Sequence, residues 1–276
     1  VAYLWLRPTI PDLDVLRATL AEYRELVPWM LRLSMGLPLI GAGFAGYYFS
    51  PAVETTPRLL MIVIGFLLLF GLATRAVAAV ALVAYLAGLA TDARLLLAIE
   101  YVPGLLAIVL LGGGRPSADH MLGAVASADR TYYGRIDPVH RLAERFAEML
   151  EPFARYVPTV VRVGLGVTFI YLGLVEKLLQ PGQALLVVEK YNLTAILPVD
   201  PGAWVLGAGL AEIALGVLLI VGLLTRGAAA AAFVVFTLTM FGLPDDPVLA
   251  HITMFGLASA AFTLGSGPLA LDNVVA

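Results

Sequence analysis

The chain has 276 residues, of which 61% are hydrophobic and 13% are charged, with a formal net charge of −3 at pH 7. A mean hydropathy of +0.92 is too high for a single soluble core, so the composition indicates a polytopic membrane protein. Because there is no cysteine, disulfides, thiolate zinc sites, cysteine-ligated iron–sulfur clusters and thioether-attached haem are excluded. The small net charge, with no basic run interleaved with aromatic residues, argues against a nucleic-acid partner.

The predicted elements begin with an N-terminal segment, residues 1–26, that contains an amphipathic helix. Eight apolar spans follow, so the expected fold is all-α, with eight transmembrane helices. The first four spans are predicted at 27–49, 57–73, 75–90 and 93–112, and the last four at 158–179, 203–224, 226–243 and 248–265.

A linker, residues 120–156, separates the two groups of four spans. Within it, residues 137–157 predict a second amphipathic helix that lies on the membrane surface. The apolar face of this helix is formed by Leu142, Phe146, Met149 and Phe153.

The two groups of spans share three motifs in the same order, which predicts a tandem duplication. We name residues 27–119 the first repeat and residues 157–276 the second repeat. An even number of spans in each repeat inserts both the same way up, related by a rotation about the membrane normal. The matched motifs are VPWMLRLSMGL (27–37) with VPTVVRVGLGV (157–167), GLATR (71–75) with GLLTR (222–226), and GRPSAD (114–119) with GPLALD (267–272).

Arginine and lysine residues are distributed unevenly between the two sides of the predicted membrane domain. Most lie on the side that holds both termini, the linker and the GLATR and GLLTR turns. Positively charged loops stay in the cytoplasm. We therefore expect a protein of the cell membrane with both termini cytoplasmic. The opposite side holds Arg58, Arg94, Lys177 and Lys190.

Charged residues within the second repeat are the main functional candidates, because such residues in a membrane span are costly. Glu212 lies near the middle of its span, and His251 lies just inside the outer end of the last span. We interpret these two as candidate catalytic, proton-handling residues. Glu176 and Lys177, near the outer end of the fifth span, are candidate substrate-binding residues of the same cavity. The aligned residues of the first repeat are uncharged: Met61, Ala98, Gly46 and Tyr47.

Glu100 is a further substrate-binding candidate, since it is the one acidic residue in the interior of the predicted spans of the first repeat and precedes Pro103, where a broken helix frees backbone groups. Structural alternatives stay open for every candidate. Lys177 could extend to the lipid headgroups with Glu176 beside it. Glu212 could be a neutral packing residue, His251 could pack between helices, and Glu100 could hold a nearby hydroxyl.

The GLATR and GLLTR turns have a structural interpretation. Glycine ends one helix, threonine caps the next, and arginine anchors to the headgroups. The sequence contains no phosphate-binding loop, nucleophile elbow or metal-spaced cluster. It therefore predicts no metal site and no self-sufficient catalytic centre.

The second repeat has a characteristic set of motifs: Arg162 at the start of its first span, a Gly-x-x-x-Lys pattern (Gly173 to Lys177) at the end of that span, AEIALGVLLIVGLLTR (211–226), His251 and GSGPLALD (265–272). In these features it resembles the DoxX/DoxD family of small four-helix membrane proteins, and the first repeat resembles a degenerate copy of the same unit. The resemblance implies a four-helix bundle and, for the founding members, association with thiosulfate:quinone oxidoreduction and other membrane redox complexes.

Three functions remain as alternatives at this point. The first is a membrane subunit that binds a quinone-like or small anionic substrate and works with other membrane or peripheral redox subunits, with quinone as a non-covalent cofactor. The second is a structural or assembly subunit of a larger membrane complex. The third and weakest is a small-molecule transporter, because parallel repeats with a midplane carboxyl suit one but matched broken helices are not evident.

Overall fold

The computed structural model describes residues 11–54, 57–127, 138–242 and 248–275. Helices dominate these residues, and the all-α class is confirmed. The α-helices are α1 (Pro11–Glu22), α2 (Val27–Ala45), α3 (Arg58–Phe70), α4 (Thr74–Thr91), α5 (Tyr101–Leu111), α6 (Ala118–Ser127), α7 (Pro138–Ala154), α8 (Val157–Tyr171), α9 (Gly182–Lys190), α10 (Pro201–Val221), α11 (Thr225–Gly242), α12 (Val248–Leu264) and α13 (Asp272–Val275). The other elements are a π-helix (Leu172–Leu179), 3₁₀ turns (Tyr23–Leu26, Ala93–Ala98, Leu193–Ala195) and a short antiparallel hairpin of β1 (Tyr47–Tyr48) and β2 (Ser50–Glu54).

The membrane class of the protein is also confirmed. Among the described residues, five helical stretches are long and apolar enough to cross a bilayer, and three further apolar helices are shorter. Together they occupy the places of the eight predicted spans, although the number of eight crossings stays a prediction. The long stretches are Asp14–Ala45, Thr74–Thr91, Val157–Leu179, Pro201–Val221 and Thr225–Gly242, and the short ones are Arg58–Phe70, Tyr101–Leu111 and His251–Leu264.

Two predicted spans differ from the helices that form. The first was expected to reach residue 49, but α2 ends at Ala45 because Gly46 adopts a left-handed conformation (φ 87°) and turns the chain into the hairpin. The fourth was expected as one helix over 93–112. It is divided into a 3₁₀ turn, Ala93–Ala98, and the helix α5.

Large apolar side chains cover the outside of the helices, which places lipid rather than water around them. These side chains are exposed because neighbouring helices do not cover them. Examples are Phe44, Leu59, Phe70, Val83, Val234 and Leu238.

Glycines set the close packing of the first two helices of each repeat. A Cβ atom at Gly36 of α2 would lie 2.8 Å from the carbonyl oxygen of Gly65 in α3. In the second repeat, a Cβ at Gly166 of α8 would lie 2.6 Å from the carbonyl oxygen of Gly216 in α10. The two helix pairs therefore use the same close approach at aligned positions, as small residues allow between membrane helices.

Two buried and two half-buried arginines mark one end of the bundle. We call it the arginine-rich end and define it by Arg32 and Arg162, which are buried, and by Arg75 and Arg226, which are half-buried. Arg162 is 1% exposed, and its guanidinium donates to the carbonyl oxygens of Leu219 and Ile220 at the end of α10 and of Ser266 and Leu269 in the final loop. Carbonyls at a helix C-terminus lack partners within the helix. A cation placed there satisfies them and suits the helix dipole.

Aspartates, and not the threonines, cap the helices that follow the GLATR and GLLTR turns. The backbone amides of Ala73 and Thr74 donate to the two carboxylate oxygens of Asp119, at 2.6 and 2.8 Å. Asp272 accepts from the corresponding amides in the second repeat, at 2.7 and 3.0 Å. The expectation that threonine caps the helix is therefore wrong, because the aspartate of the last motif reaches back to the turn. The threonine hydroxyls are buried without a hydrogen-bond partner among the described residues.

Contacts between the repeats also occur in matched pairs. Ser34 of the first repeat packs against Gly256 of the second, and Gly164 of the second packs against Pro103 of the first. Ser34 aligns with Gly164, and Pro103 aligns with Gly256. Each contact is therefore equivalent to the other after the two repeats are exchanged, as in a two-fold symmetric interface. Arg24, just before α2, lines a cavity together with Pro158, at the start of α8, so both repeats begin at the same end. These contacts support the predicted parallel arrangement.

The amphipathic linker helix forms as α7, within the predicted range, and contacts α5. Its apolar face, which includes Leu142 and Phe153, is exposed to the surroundings of the protein. The N-terminal segment contains α1 from residue 11 onward. Residues 1–10 of that segment and 128–137 of the linker lie outside the described residues.

Candidate functional site

An ion pair between Lys177 and Glu212 lies within the apolar helices of the second repeat. The ammonium Nζ of Lys177 is 2.8 Å from Oε2 of Glu212, and the two side chains are 21% and 15% exposed. Glu212 is the twelfth residue of the 21-residue helix α10, so it lies roughly 17 Å from the start of that helix. Opposite charges thus meet near the middle of a predicted crossing, where an unpaired charge is costly.

Two glycines allow the helices that carry the pair to approach closely. A Cβ atom at Gly173 would lie 2.6 Å from the carbonyl oxygen of Gly209, and a Cβ at Gly209 would lie 3.0 Å from the Cβ of Lys177. A larger residue at either position would push α10 away from the π-helix. The glycines therefore set the separation at which Lys177 reaches Glu212.

The π-helix determines which side chains face α10. It continues α8 without a break and has hydrogen bonds between residues five apart, such as the 2.9 Å bond from the Gln180 amide to the Val175 carbonyl. Its winding brings both Lys177 and Leu178 against Gly209. π-helical segments are rare and occur frequently at functional sites.

The first repeat has no ion pair at the equivalent place. Met61 aligns with Glu212 and is fully buried, and Tyr47 aligns with Lys177 and lies in β1. Arg58 takes the place of Gly209, and its guanidinium lies against Gly46, with one nitrogen 2.6 Å from where a Cβ would be. The pair of packed helices therefore forms without these charges.

The ion pair has complementary chemistry for a polar ligand. The lysine ammonium offers three N–H donors, and the ionised carboxylate is an acceptor only. Both side chains are partly exposed, so a ligand can reach them. Together Lys177 and Glu212 can bind a group that both donates and accepts hydrogen bonds, and the carboxylate can take up a proton.

Glu176 is partly covered by protein, and His251 is buried. Glu176 is half-buried on the π-helix, close to Tyr171 of the same helix. His251 is 7% exposed and lies in the first turn of α12. Their membership of one site with Lys177 and Glu212 stays a prediction.

Glu100 makes a hydrogen bond across the boundary between the repeats. The hydroxyl of Thr253 donates to Oε1 of Glu100 at 3.0 Å, and Glu100 is 4% exposed. The two residues occupy aligned positions in the two repeats, two residues after Ala98 and His251 respectively. This contact favours the structural alternative, in which Glu100 holds a nearby hydroxyl.

A cavity of about 70 Å³ lies beside Glu100 between the repeats. Its polar lining includes Tyr47, Ser50, Tyr101 and Thr253. At about 30 Å³ per water molecule it can hold roughly two waters, and it is much smaller than ordinary ligand pockets. Glu176, Lys177, Glu212 and His251 do not line it. The structure thus brings Lys177 and Glu212 together and places Glu100 at a different location.

Sequence reasoning missed three residues that shape these contacts. Gly173 and Gly209 permit the ion pair. Each has a second glycine seven residues away on the same helix face, Gly166 and Gly216 respectively, and this spacing is the sequence feature that could have revealed them. Thr253 binds Glu100, and its signal is the alignment of these two positions between the repeats. The glycine spacing is therefore evident within each helix, whereas Thr253 becomes informative only when the repeats are compared.

Comparison with protein families gives a match that lies within the second repeat. The sequence model of the family described as DoxX matches residues 157–245. This range contains Lys177 and Glu212 and ends before His251, and the first repeat lies outside it. No curated protein and no solved structure shows significant similarity to the chain.

Proposed function

We propose that the chain, whose residues 157–245 match the DoxX family model, is an integral membrane subunit of a quinone-linked redox complex and does not act alone. The ion pair of Lys177 and Glu212 is the part of the chain that meets the substrate. The observation that carries the proposal is that only one of two similar repeats contains this pair. A pair required by the architecture alone would be expected in both.

The chemistry of a quinol suits the two side chains. Lys177 donates a hydrogen bond to a substrate oxygen, and Glu212 accepts one of the two protons that the quinol loses on two-electron oxidation, while the other is released to water. The two electrons pass to a partner subunit, since the chain has no cysteine for an iron–sulfur cluster. Our proposal thus includes redox partners, with quinone as a non-covalent substrate or cofactor, and His251 and Glu176 as supporting groups of the same site.

The proposal extends to the whole chain. Residues 27–119 are a second, diverged unit of the same kind, which the matched glycine, arginine and aspartate contacts support. The arginine-rich end is cytoplasmic, because positively charged loops remain on that side of the cell membrane. Lys177 and Glu212 then lie in the outer half and the middle of the membrane.

Replacing Glu212 by glutamine tests the proton-handling role. The amide keeps the shape and hydrogen-bonding capacity of the side chain but cannot accept the proton. Loss of a general base typically costs about 10²-fold or more in rate. We expect quinol-dependent electron transfer in native membranes to fall by about that factor in Glu212→Gln, with the amount of assembled complex unchanged on native gels.

Met61→Leu is the matched control, since Met61 occupies the aligned place in the first repeat. It should leave electron transfer and assembly unchanged. Full activity of Glu212→Gln would contradict the proposal and favour the alternative of a structural or assembly subunit. If the chain is a structural or assembly subunit, Glu212→Gln should lower activity only in proportion to the loss of assembled complex. If it is a transporter, vesicles that contain the purified chain alone should take up substrate.

A further inference from the structure

A cavity of about 410 Å³ opens at the arginine-rich end of the second repeat. Two arginines from distant parts of the chain line it: Arg24 from the segment before α2, and Arg226 from the first turn of α11. The loop Gly265–Gly267 and Asn273 form another wall. The cavity is of ordinary size for a small-molecule or headgroup site.

Arg226 has donors to spare, in contrast to its counterpart in the first repeat. Arg75 donates to three carbonyl oxygens at the end of α5, those of Val109, Leu110 and Leu111. Arg226 makes a single hydrogen bond to the described residues, from Nε to the carbonyl oxygen of Phe262 at 3.1 Å. Its two terminal NH₂ groups are therefore available to the cavity.

Arg24 adds a second positive charge, which no group among the described residues neutralises. It is exposed and makes no hydrogen bond or ion pair within the part of the chain that the structure describes. Arg24 and Arg17 are both close enough to act electrostatically on Arg226. Arg17 is paired with Asp14, so Arg24 and Arg226 are the two of these three arginines that have no ion pair within the described ranges. Like charges held together repel unless an anion lies between them.

The acceptor groups around the cavity are already occupied. The carbonyl oxygen of Ser266 accepts from Arg162 at 2.8 Å, and that of Gly267 accepts from Asn273 at 2.7 Å. Both oxygens of Asp272, the nearby carboxylate, accept backbone amides of the turn. The cavity thus presents guanidinium donors, and these neighbouring oxygens already accept hydrogen bonds from the protein.

The first repeat does not reproduce this arrangement. At the place of Arg24 it has Ala154, and at the place of Ser266 it has Gly113. Arg75 uses its donors within the helix end, as described above. The spare charge is therefore specific to the second repeat and is not a consequence of the shared architecture.

We propose that this cavity binds a phosphate group, held between the guanidinium groups of Arg24 and Arg226. Arginine is the side chain best suited to phosphate oxygens, because its planar fork donates two parallel hydrogen bonds. An anionic phospholipid headgroup and a soluble phosphate compound share this chemistry. The site is independent of the Lys177–Glu212 pair and of the function proposed for it.

Binding to the purified full-length chain tests this site. The delipidated protein is titrated in detergent with phosphatidylglycerol and, separately, with inorganic pyrophosphate, and bound species are counted by native mass spectrometry. Because Arg24 is exposed, Arg24→Gln should fold normally and weaken binding about fivefold, as expected for one surface cation. Arg75→Gln, the matched control in the first repeat, should not weaken binding.

The two titrations distinguish the source of the phosphate. Arginine-dependent binding of phosphatidylglycerol that pyrophosphate does not displace identifies a lipid headgroup. Arginine-dependent binding of pyrophosphate identifies a soluble phosphate compound. If Arg24→Gln binds both probes as tightly as the unchanged protein, or if Arg75→Gln weakens binding to the same extent, the proposed site is wrong.

Discussion

The two repeats are most alike at the arginine-rich end and least alike at the opposite end. At the arginine-rich end both have a left-handed glycine, a turn capped by a distant aspartate and a buried arginine on the first helix. At the opposite end the first repeat turns into a hairpin after Gly46, whereas the second continues as a π-helix that carries Lys177. The contacts shared at the arginine-rich end are those that the helix bundle requires. At the opposite end the bundle forms with either a hairpin or a π-helix. Charges found only in the divergent part are the better functional candidates.

Substitution of the buried arginines should have the largest effect on the free energy of unfolding. Arg162 bonds to four carbonyl oxygens, whereas Arg32 bonds to one, that of Pro116, and two of its buried nitrogens have no partner among the described residues. Arg162→Met should therefore lower the free energy of unfolding by about 3 kcal/mol or more, because it leaves several buried acceptors unpaired.

Arg32→Met should cost much less, since fewer acceptors lose a donor. Denaturant titration of both variants in detergent micelles, followed by tryptophan fluorescence, measures the difference. Equal losses for the two arginines would contradict the hydrogen-bond account.

The interhelical glycines should give the next largest effect, and an equal one in the two repeats. Gly36→Ala and Gly166→Ala each place a methyl group against a backbone carbonyl, and such overpacking costs about 1–3 kcal/mol. The same titration checks this. Gly207→Ala is the control, since a Cβ there has nothing within 4 Å; it should be neutral or stabilising by about 0.5–1 kcal/mol through helix propensity. A cost in only one repeat would mean that the two helix pairs pack differently.

The ion pair should contribute a smaller amount to stability. Each single variant, Lys177→Met or Glu212→Leu, leaves the partner charge unpaired. The double variant leaves no unpaired charge. Because both groups are partly exposed, we expect a coupling free energy of about 1 kcal/mol, below that of a fully buried pair. A double-mutant cycle measures it. If the double variant is less stable than the sum of the two single losses implies, the side chains do not interact favourably.

The aspartate caps should give the smallest effect, and again a similar one in both repeats. Asp119→Ala and Asp272→Ala remove acceptors from two backbone amides each, which costs about 1 kcal/mol for a typical cap. Thr74→Val and Thr225→Val should be neutral or slightly stabilising, because the threonine hydroxyls have no partner within the described parts of the chain. Thermal unfolding midpoints of the four variants test the assignment, which fails if the threonine variants lose more stability than the aspartate variants.

Sequence alone determined the membrane class, the order of the apolar helices and the alignment of the two repeats. These properties are local: hydropathy is summed over one span, and glycines that end helices act within a few residues. The amphipathic linker helix was predictable for the same reason, since its periodicity lies in one short stretch. Even the uncharged counterpart of Glu212, Met61, was evident from the alignment before any contact was known.

Tertiary structure decided which polar groups meet, because each meeting depends on the separation and rotation of helices far apart in the chain. Lys177 pairs with Glu212 because two glycines let α10 approach the π-helix. Asp272 caps a helix that begins at Thr225, where the adjacent threonine was expected to act. Arg24 and Arg226 share a cavity although about 200 residues separate them. None of these distances is encoded in a local pattern, so only the packed bundle could supply them.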